Sequence, residues 1–150
     1  MVLKVVAKNR KAKHEYFILD TYEAGIVLKG SEIKSIRGGQ LSLAQSYVSI
    51  ENGEAWLMNT HIAPYDQAGR FNHDPMRPRK LLLHRKQIDK LFENVRQKGT
   101  TIIPLSVYLK DGKAKVEIAL AKGKRHYDKR AEIAKRDAQR ELDRSYKYRR

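Results

Sequence analysis

Five histidines could do acid–base chemistry in this sequence, and one of them, His126, stands in a polar group. Residues 126–129 are His-Tyr-Asp-Lys, which could serve as an acid–base set for cleaving RNA. The simpler interpretation is that these flat and basic side chains contact RNA, and it is favoured because short motifs often match by chance. The other histidines lack the i, i+4 spacing that places two metal ligands on one helix face. They are His14, His61, His73 and His84.

Signatures of other enzyme classes are missing from the sequence. It contains no Gly-rich phosphate loop and no serine set between a strand and a helix as a nucleophile. Cysteine is absent, which excludes disulfides and thiolate metal sites. We therefore predict a non-catalytic protein that uses neither a metal nor another cofactor.

The net charge indicates a polyanionic partner. The chain carries 32 Lys and Arg against 17 Asp and Glu, a formal charge of +15. Nucleic acid is the usual partner of such a chain. An anionic membrane surface is the competing interpretation, but no apolar run approaches the length of a membrane span. The apolar part of the first 13 residues is too short for a signal peptide, so we expect a soluble cytoplasmic protein.

The charge divides the chain into a body, residues 1–121, and a basic tail, residues 122–150. The tail holds 12 Lys or Arg and five Asp or Glu, but its only large aliphatic side chains are Ile133 and Leu142. Pairs such as Glu132 with Arg136 favour a helix by only about 0.2–0.5 kcal/mol each. Without an apolar face such a helix is marginal in water. We expect the tail to be disordered when free and helical on RNA.

The body is predicted to consist mainly of strands. Residues 14–22 and 25–28 are rich in aromatic and β-branched side chains, which suit a pleated surface. Two further pairs of strands flank Asn52-Gly53 and Asp111-Gly112, which are strong hairpin signals. Apolar side chains alternate with others in the last strand, so one face of this strand is predicted to be buried and the other to be exposed to solvent. The predicted buried residues are Val116, Ile118 and Leu120, and the predicted wet residues are Lys115, Glu117 and Ala119.

Two helices are predicted between the strands. Ser31 can cap a short helix that ends at Gly38-Gly39. A second helix, residues 85–98, has an apolar stripe at i, i+3, i+4 and i+7. The inward side chains would be Ile33 and Ile36 in the first helix, and Ile88, Leu91, Phe92 and Val95 in the second. Short strands with a helix before the last hairpin favour a closed barrel of the OB type, which commonly binds oligonucleotides.

Residues 64–79 contain three prolines and three arginines. A solvated connection between a strand and a helix is the expected structure for the middle of this segment. Near its end, Arg77, Arg79 and Lys80 would lie beside one barrel face, where they could meet phosphate groups.

Several segments resemble the SmpB family, the tmRNA-binding proteins of bacterial trans-translation. They run from His14 to Arg140 in the order found in that family. The segments are HEYFI, EAGIVLKGSEIKSIRGG, NTHIAPY, RKLLLHRKQIDKL, TIIPLSVYLKDGKAKVEIALAKGKRHYDKR and RDAQR. Each is moderately specific, and the combination is highly specific.

The resemblance implies a non-catalytic protein whose OB-like barrel binds the tRNA-like domain of tmRNA. Its tail would act in the decoding centre and mRNA channel of the small subunit, after delivery of tmRNA to the empty A site of a stalled ribosome. The nascent chain would then be tagged and the ribosome released. Elongation factor Tu would be met through tmRNA, and the protein itself would be a monomer.

Family positions map onto Glu23, Leu82 and His84 for tmRNA, and onto two tail motifs for the ribosome. The tail positions are Lys122, Gly123 and Lys124, followed by Tyr127, Asp128, Lys129 and Arg130. Tyr127 stands where some members carry another flat side chain, often His, so it is expected to stack on a base and not to transfer protons.

The predicted contacts in the body also have alternative roles that do not involve RNA. Glu23 would bond base edges or ribose hydroxyls, or else be a solvated turn carboxylate. Leu82 would pack in the core by default, and only the resemblance moves it to a surface that supports bases. His84 could stack on a base or donate to phosphate, or else be a packed or hydrogen-bonded residue near apolar neighbours. Lys34, Arg37 and Lys80 would contact phosphates. For Lys34 and Arg37, the alternative is a solvated face of the first helix.

Three classes of function remain open on the sequence. The first is the ribosome-rescue protein that the resemblance implies. The second is a generic OB-fold RNA binder, such as a ribosomal or initiation-factor-like protein, which the composition allows equally. The third is a small ribonuclease that uses the group at His126.

Overall fold

Hydrogen bonding between antiparallel strands arranges most of the protein around one sheet. The computed structural model describes residues 3–124, Arg136 and residues 138–140. The strands are β1 (Leu3–Lys8), β2 (Tyr16–Ile26), β3 (Leu41–Ser42), β4 (Tyr47–Glu51), β5 (Glu54–Met58), β6 (His61–Ile62), β7 (Arg79–Leu82), β8 (Thr100–Lys110) and β9 (Lys113–Gly123). The helices are α1 (Ala12–Glu15), α2 (Gly30–Arg37) and α3 (Arg85–Val95), with a 3₁₀ segment at Asp66–Phe71.

The main sheet closes on itself. Its strand order is β1-β8-β4-β5-β7-β2-β9, and β9 also pairs with β8, so six strands form a ring. Strand β1 lies outside the ring as an addition to β8. Strands β3 and β6 form a separate two-stranded sheet. This architecture confirms the predicted mainly β, OB-like closed barrel.

Both predicted hairpin turns are present. Asn52 and Gly53 have φ of 52° and 74°, and Asp111 and Gly112 have φ of 50° and 82°. Two successive residues with positive φ twist a tight turn in the same sense as its strands, which is why Asn-Gly and Asp-Gly are favoured there. The turns set the registers in which Glu51 faces Glu54 and Lys110 faces Lys113.

The core fills the ring and is closed by the two longer helices. Ile36 of α2 and Leu91 of α3 are fully buried among strand side chains such as Leu57, Leu81 and Ile118. Alternation along β9 places Val116, Ile118 and Leu120 inward, as predicted. Ala119, predicted to face water, is also fully buried. Short helix α1 explains the difference, because its Ala12 covers a second small cluster that contains Ile103, Ala119 and Ala121 on the outer side of the sheet.

The helices differ from the prediction in two boundaries and in the exposure of one side chain. Helix α2 begins one residue before Ser31, and the Glu32 carboxylate accepts the Lys29 N–H at 2.8 Å, so Ser31 is not the cap. Helix α3 ends at Val95 instead of residue 98. Phe92, predicted to face inward, is 46% exposed and lies beneath Arg96, whose guanidinium carbon is 5.7 Å from the ring centroid.

The ends of the body also differ from the prediction. Strand β1 was not predicted, because its mixed lysine and valine sequence has no turn signal after it. His14 and Glu15 belong to α1 instead of the following strand. The division of the chain at residue 121 stays a prediction, although β9 continues to Gly123. Arg136 and residues 138–140 are helical and exposed, whereas the rest of the predicted tail helix lies outside the described residues.

No helix among residues 3–124 and the four tail positions described is long and apolar enough to cross a membrane.

Candidate RNA interface

Glu23 projects from the outer face of β2, where two neighbouring side chains bind its carboxylate. The Tyr108 hydroxyl on β8 donates a short hydrogen bond to one carboxylate oxygen. The Lys110 ammonium lies 3.4 Å from the other oxygen. The Glu23 side chain still exposes 42% of its surface. Glu23 is therefore a strand residue with a fixed carboxylate, and the alternative of a solvated turn carboxylate was wrong.

The surroundings of Glu23 keep it ionised. The hydrogen bond from Tyr108 lowers the pKa of Glu23, and the nearby charges of Lys110 and Lys115 lower it further, against a smaller opposing effect of burial. Burial and the same hydrogen bond raise the pKa of Tyr108, so this phenol stays a donor. A fixed anion on a basic protein repels phosphate but can accept hydrogen bonds from base amino groups and ribose hydroxyls.

Replacing Tyr108 by Phe should raise the pKa of Glu23 towards its ordinary value of 4.5, because the largest stabiliser of the carboxylate is removed. A lowered pKa in the fold contributes stability above the ordinary pKa, and this contribution is lost as the pH falls through the lowered pKa. The Tyr108→Phe protein should therefore lose less stability on acidification than the wild type. Carboxyl NMR titration of Glu23 measures the shift directly.

Asp20 provides the matched control for this titration. It lies on the same strand, accepts a 2.9 Å hydrogen bond from Tyr22, and has a lowered pKa mainly for that reason. Tyr108→Phe should leave the Asp20 titration unchanged. An unchanged pKa of Glu23 in the variant would show that Tyr108 does not stabilise its carboxylate.

Leu82 lies beside Glu23 on the same outer face. It is opposite Gly25 in the β2–β7 pairing, and Gly25 follows Glu23 by two residues. A Cβ on Gly25 would come within 3.2 Å of the Leu82 Cβ, so the glycine lets the leucine lie flat against β2. Leu82 remains 53% exposed. Packing in the core, the default for this residue, was wrong.

A shallow cleft of about 400 Å³ continues from Leu82 towards α2 and the β8–β9 turn. Ile33 of α2 lines one side, and Lys113 and Lys115 line the other. The lysines that surround Glu23 and Leu82 were not assigned from the sequence. The alternation of side chains along β8 and β9 could have identified these lysines, because Lys110 and Lys115 share the outward face with Tyr108.

The other predicted contacts in the body lie on β7, on α2 and directly before α3. Lys80 points outward from β7, and its ammonium is 3.3 Å from the Glu54 carboxylate. His84 is exposed immediately before α3, where its backbone N–H is accepted by Gln87 Oε1 at 3.0 Å. Lys34 and Arg37 are exposed on α2, as predicted. These four side chains are thus accessible to a large ligand, although Lys80 already has an ionic partner.

The arginines predicted beside Lys80 have a structural role. Arg79 is fully buried, and its Nε donates to Glu32 Oε2 at 2.6 Å. Arg77 donates to Glu32 Oε1 at 2.5 Å and is partly buried. Alternation along β7 turns Arg79 inward and Lys80 outward, so the expectation that Arg79 meets phosphate was wrong. Most residues in the middle of segment 64–79 are exposed, as expected for a solvated connection, but His73 there is buried.

Two of the first three tail positions belong to the sheet, and Lys124 follows it directly. Lys122 and Gly123 pair with Phe17 and Tyr16 on β2. The Lys124 ammonium donates to the Lys13 carbonyl at 2.7 Å and lies 5.2 Å from the centroid of the Phe17 ring. The other predicted tail contacts lie outside the described residues. These are Tyr127, Asp128, Lys129 and Arg130.

The structure therefore separates the predicted contacts into two places. Along β2, Glu23 lies seven residues from Tyr16, the partner of Gly123, which corresponds to about 23 Å of extended strand. The face at Glu23 and Leu82 and the start of the tail lie towards opposite ends of the same strand. In the part of the chain that is described, no three His, Cys, Asp or Glu side chains are grouped so as to hold a metal ion.

A small closed β-barrel with a lysine-rich outer face and exposed apolar and acidic contacts is typical of the class of RNA-binding proteins. The sequence matches the family model described as SmpB protein over residues 6–148. The chain belongs to the SmpB family.

Curated relatives and a solved structure agree with this membership. An SsrA-binding protein of Desulforudis audaxviator is 61% identical over 142 residues, 95% of this chain and 93% of the relative. An SsrA-binding protein of Roseiflexus castenholzii is 60% identical over 147 residues, 97% of this chain and 93% of the relative. A solved structure described as "tmRNA-SmpB: a journey to the center of the bacterial ribosome" is 49% identical with a TM-score of 0.66, covering 77% of this chain and 82% of that one.

Proposed function

We propose that the protein binds the tRNA-like domain of tmRNA through the face around Glu23 and Leu82, as a monomer and without catalysis. The observation that carries this proposal is the exposed Leu82 held flat beside an ionised Glu23. An exposed apolar side chain offers a platform for unstacked bases, and the adjacent carboxylate selects donors on bases and riboses. The surrounding lysines supply attraction for the RNA backbone.

The protein then brings tmRNA to the empty A site of a stalled ribosome in the cytoplasm. In this proposal, Lys122–Lys124 and residues 127–130 contact the decoding centre, and the rest of the tail occupies the mRNA channel. Elongation factor Tu is met through tmRNA. The separation of about 23 Å along β2 supports a division of labour, because one molecule can bind tmRNA at one end and the ribosome at the other.

The proposal is tested by comparing two kinds of contact. Glu23→Ala together with His84→Ala should weaken binding of the tRNA-like domain about 10- to 100-fold, since a hydrogen bond to a charged group contributes about 1.5–3 kcal/mol. The slope of log affinity against log salt should stay the same, because neither side chain is expected to neutralise a phosphate. Replacing Lys34 and Arg37 by Ala should instead flatten that slope by about 0.7–0.9 per lost contact.

Lys98→Ala is the control for this titration, because it removes an exposed charge outside the proposed interface. It should leave both affinity and slope close to wild type. Wild-type affinity in the Glu23/His84 variant would overturn the assignment of this face. The RNA should be recovered intact after incubation with the wild type and with each variant. Cleavage of the RNA would favour the alternative function of a ribonuclease.

A further inference from the structure

Phe71 is exposed in a way that the fold does not require. It is 77% exposed at the end of the 3₁₀ segment. Burying a phenylalanine side chain stabilises a protein by about 1.5–3 kcal/mol, and this ring contributes little of that amount. A single exposed apolar side chain is common on protein surfaces, so the neighbours of Phe71 decide whether it belongs to a contact surface.

The loop that carries Phe71 is fastened at its base. The Asn72 side chain accepts the Tyr65 N–H at 2.9 Å and donates to the Tyr65 carbonyl at 2.8 Å. The buried ring of His73 lies between the Ser31 hydroxyl and the Ile62 carbonyl, each at 2.8 Å. Phe71 is therefore held in place relative to α2, so a ligand that contacts it meets a prepared surface.

Cations surround the aromatic rings of this loop. The Arg70 guanidinium carbon lies 5.1 Å from the centroid of the Phe71 ring, and the Lys34 ammonium lies 5.6 Å from that of Tyr65. Lys29 lines the cleft of about 520 Å³ between the loop and α2. Against these three cations the 3₁₀ segment carries Asp66.

The acidic residue of α2 does not oppose this charge. Glu32 is fully buried and points inward to Arg77 and Arg79. The Glu32 carboxylate accepts the Lys29 backbone N–H, but its ion pairs among the described residues are with Arg77 and Arg79, and not with the exposed ammonium groups of Lys29 and Lys34. Surfaces that stack bases and bind a phosphate backbone typically combine aromatic rings with neighbouring cations.

We propose that Phe71, Tyr65 and the cations Lys29, Lys34 and Arg70 form a second RNA contact, which stacks an unpaired nucleotide of the RNA bound at Glu23 and Leu82. This inference rests on the proposed function. Helix α2 connects the two places, because Ile33 lines the cleft beside Leu82 and the next residue, Lys34, faces Tyr65. One RNA that lies across α2 therefore reaches both.

The test measures binding of the full chain to the isolated tRNA-like domain of tmRNA. Phe71→Ala should weaken binding about 5- to 100-fold, the range expected for one lost base–aromatic stack. Phe71→Trp should retain the affinity, whereas Phe71→Leu should behave like Phe71→Ala, because leucine is apolar but has no ring. The salt slope should stay unchanged in all three, since stacking neutralises no phosphate.

Phe92→Ala is the matched control. Phe92 is another exposed aromatic ring with an arginine above it, but it lies on α3 beside Ile88 and the β4–β5 turn. It should leave the affinity unchanged. Wild-type affinity in Phe71→Ala, or equal affinity in Phe71→Leu and Phe71→Trp, would overturn the stacking site. Failure of the wild-type protein to bind the domain would instead overturn the proposed function.

Discussion

Replacing Arg79 by Met should lower the free energy of unfolding by about 3–5 kcal/mol, because it leaves the Glu32 carboxylate charged and buried with only Arg77 as an ionic partner. Both Arg79 and Glu32 are fully buried. Arg79 also donates to the carbonyls of Thr60 at 2.5 Å and Pro75 at 3.1 Å, and both bonds are lost, although the Pro75 carbonyl still accepts the Ile62 N–H at 3.0 Å. Urea unfolding monitored by circular dichroism measures the loss.

The next residue on β7 supplies the control. Lys80 faces outward and its pair with Glu54 is half-exposed, so Lys80→Met should change stability by no more than about 1 kcal/mol. Combining Arg79→Met with Glu32→Leu should restore part of the loss, because the charge then left without its partner is Arg77, which reaches solvent, and no longer the fully buried Glu32. Equal destabilisation by Arg79→Met and Lys80→Met would show that the buried pair does not hold α2 to β7.

Removing residues 125–150 should reduce tagging of stalled nascent chains at least 100-fold and leave binding of the tRNA-like domain within about twofold of wild type. Under the proposed function, the barrel binds tmRNA and the removed segment acts on the ribosome. The cut is placed after Lys124 because Gly123 still pairs with β2 and Lys124 still donates to the Lys13 carbonyl. In vitro translation of an mRNA without a stop codon measures tagging.

A permuted tail controls for charge in this experiment. Residues 125–150 contain ten Lys or Arg and five Asp or Glu, and shuffling their order keeps the net charge. The shuffled protein should tag as poorly as the truncated one if particular residues make the ribosomal contacts. Parallel loss of tagging and tmRNA binding on truncation would contradict the division between barrel and tail.

Local signals predicted the elements whose geometry depends on a few neighbouring residues. Asn52-Gly53 and Asp111-Gly112 specify tight turns by their tolerance of positive φ, so both hairpins were correct. The closed barrel followed from these hairpins and the alternation of the last strand. The predicted apolar stripe of α3 is buried at Ile88 and Leu91 but exposed at Phe92. The periodic pattern alone does not show which part of the helix the neighbouring hairpin leaves uncovered.

Contacts between residues far apart in the sequence determine the parts of the site that could not be predicted from the sequence. Arg79 and Glu32 are 47 residues apart, and no local pattern shows that an arginine in a basic loop will be buried by a carboxylate from a helix. The neighbourhood of Glu23 is similar, because Tyr108 lies 85 residues away and reaches it only after the ring closes. The resemblance pointed to Glu23 and Leu82, while the lysines and the tyrosine that complete the face required the strand registers.

Strand β9 has a mechanical consequence for everything that follows it. It pairs with β2 and β8 on its two sides, and these pairings continue to Gly123 and Lys122. The 26 residues beyond Lys124 are thus tethered at a point fixed to the barrel, and even fully extended they reach no further than about 90 Å. A barrel docked on RNA therefore fixes the point at which this segment begins. Under the proposed function, any ribosomal contact of these residues must therefore lie within that distance of the end of β9.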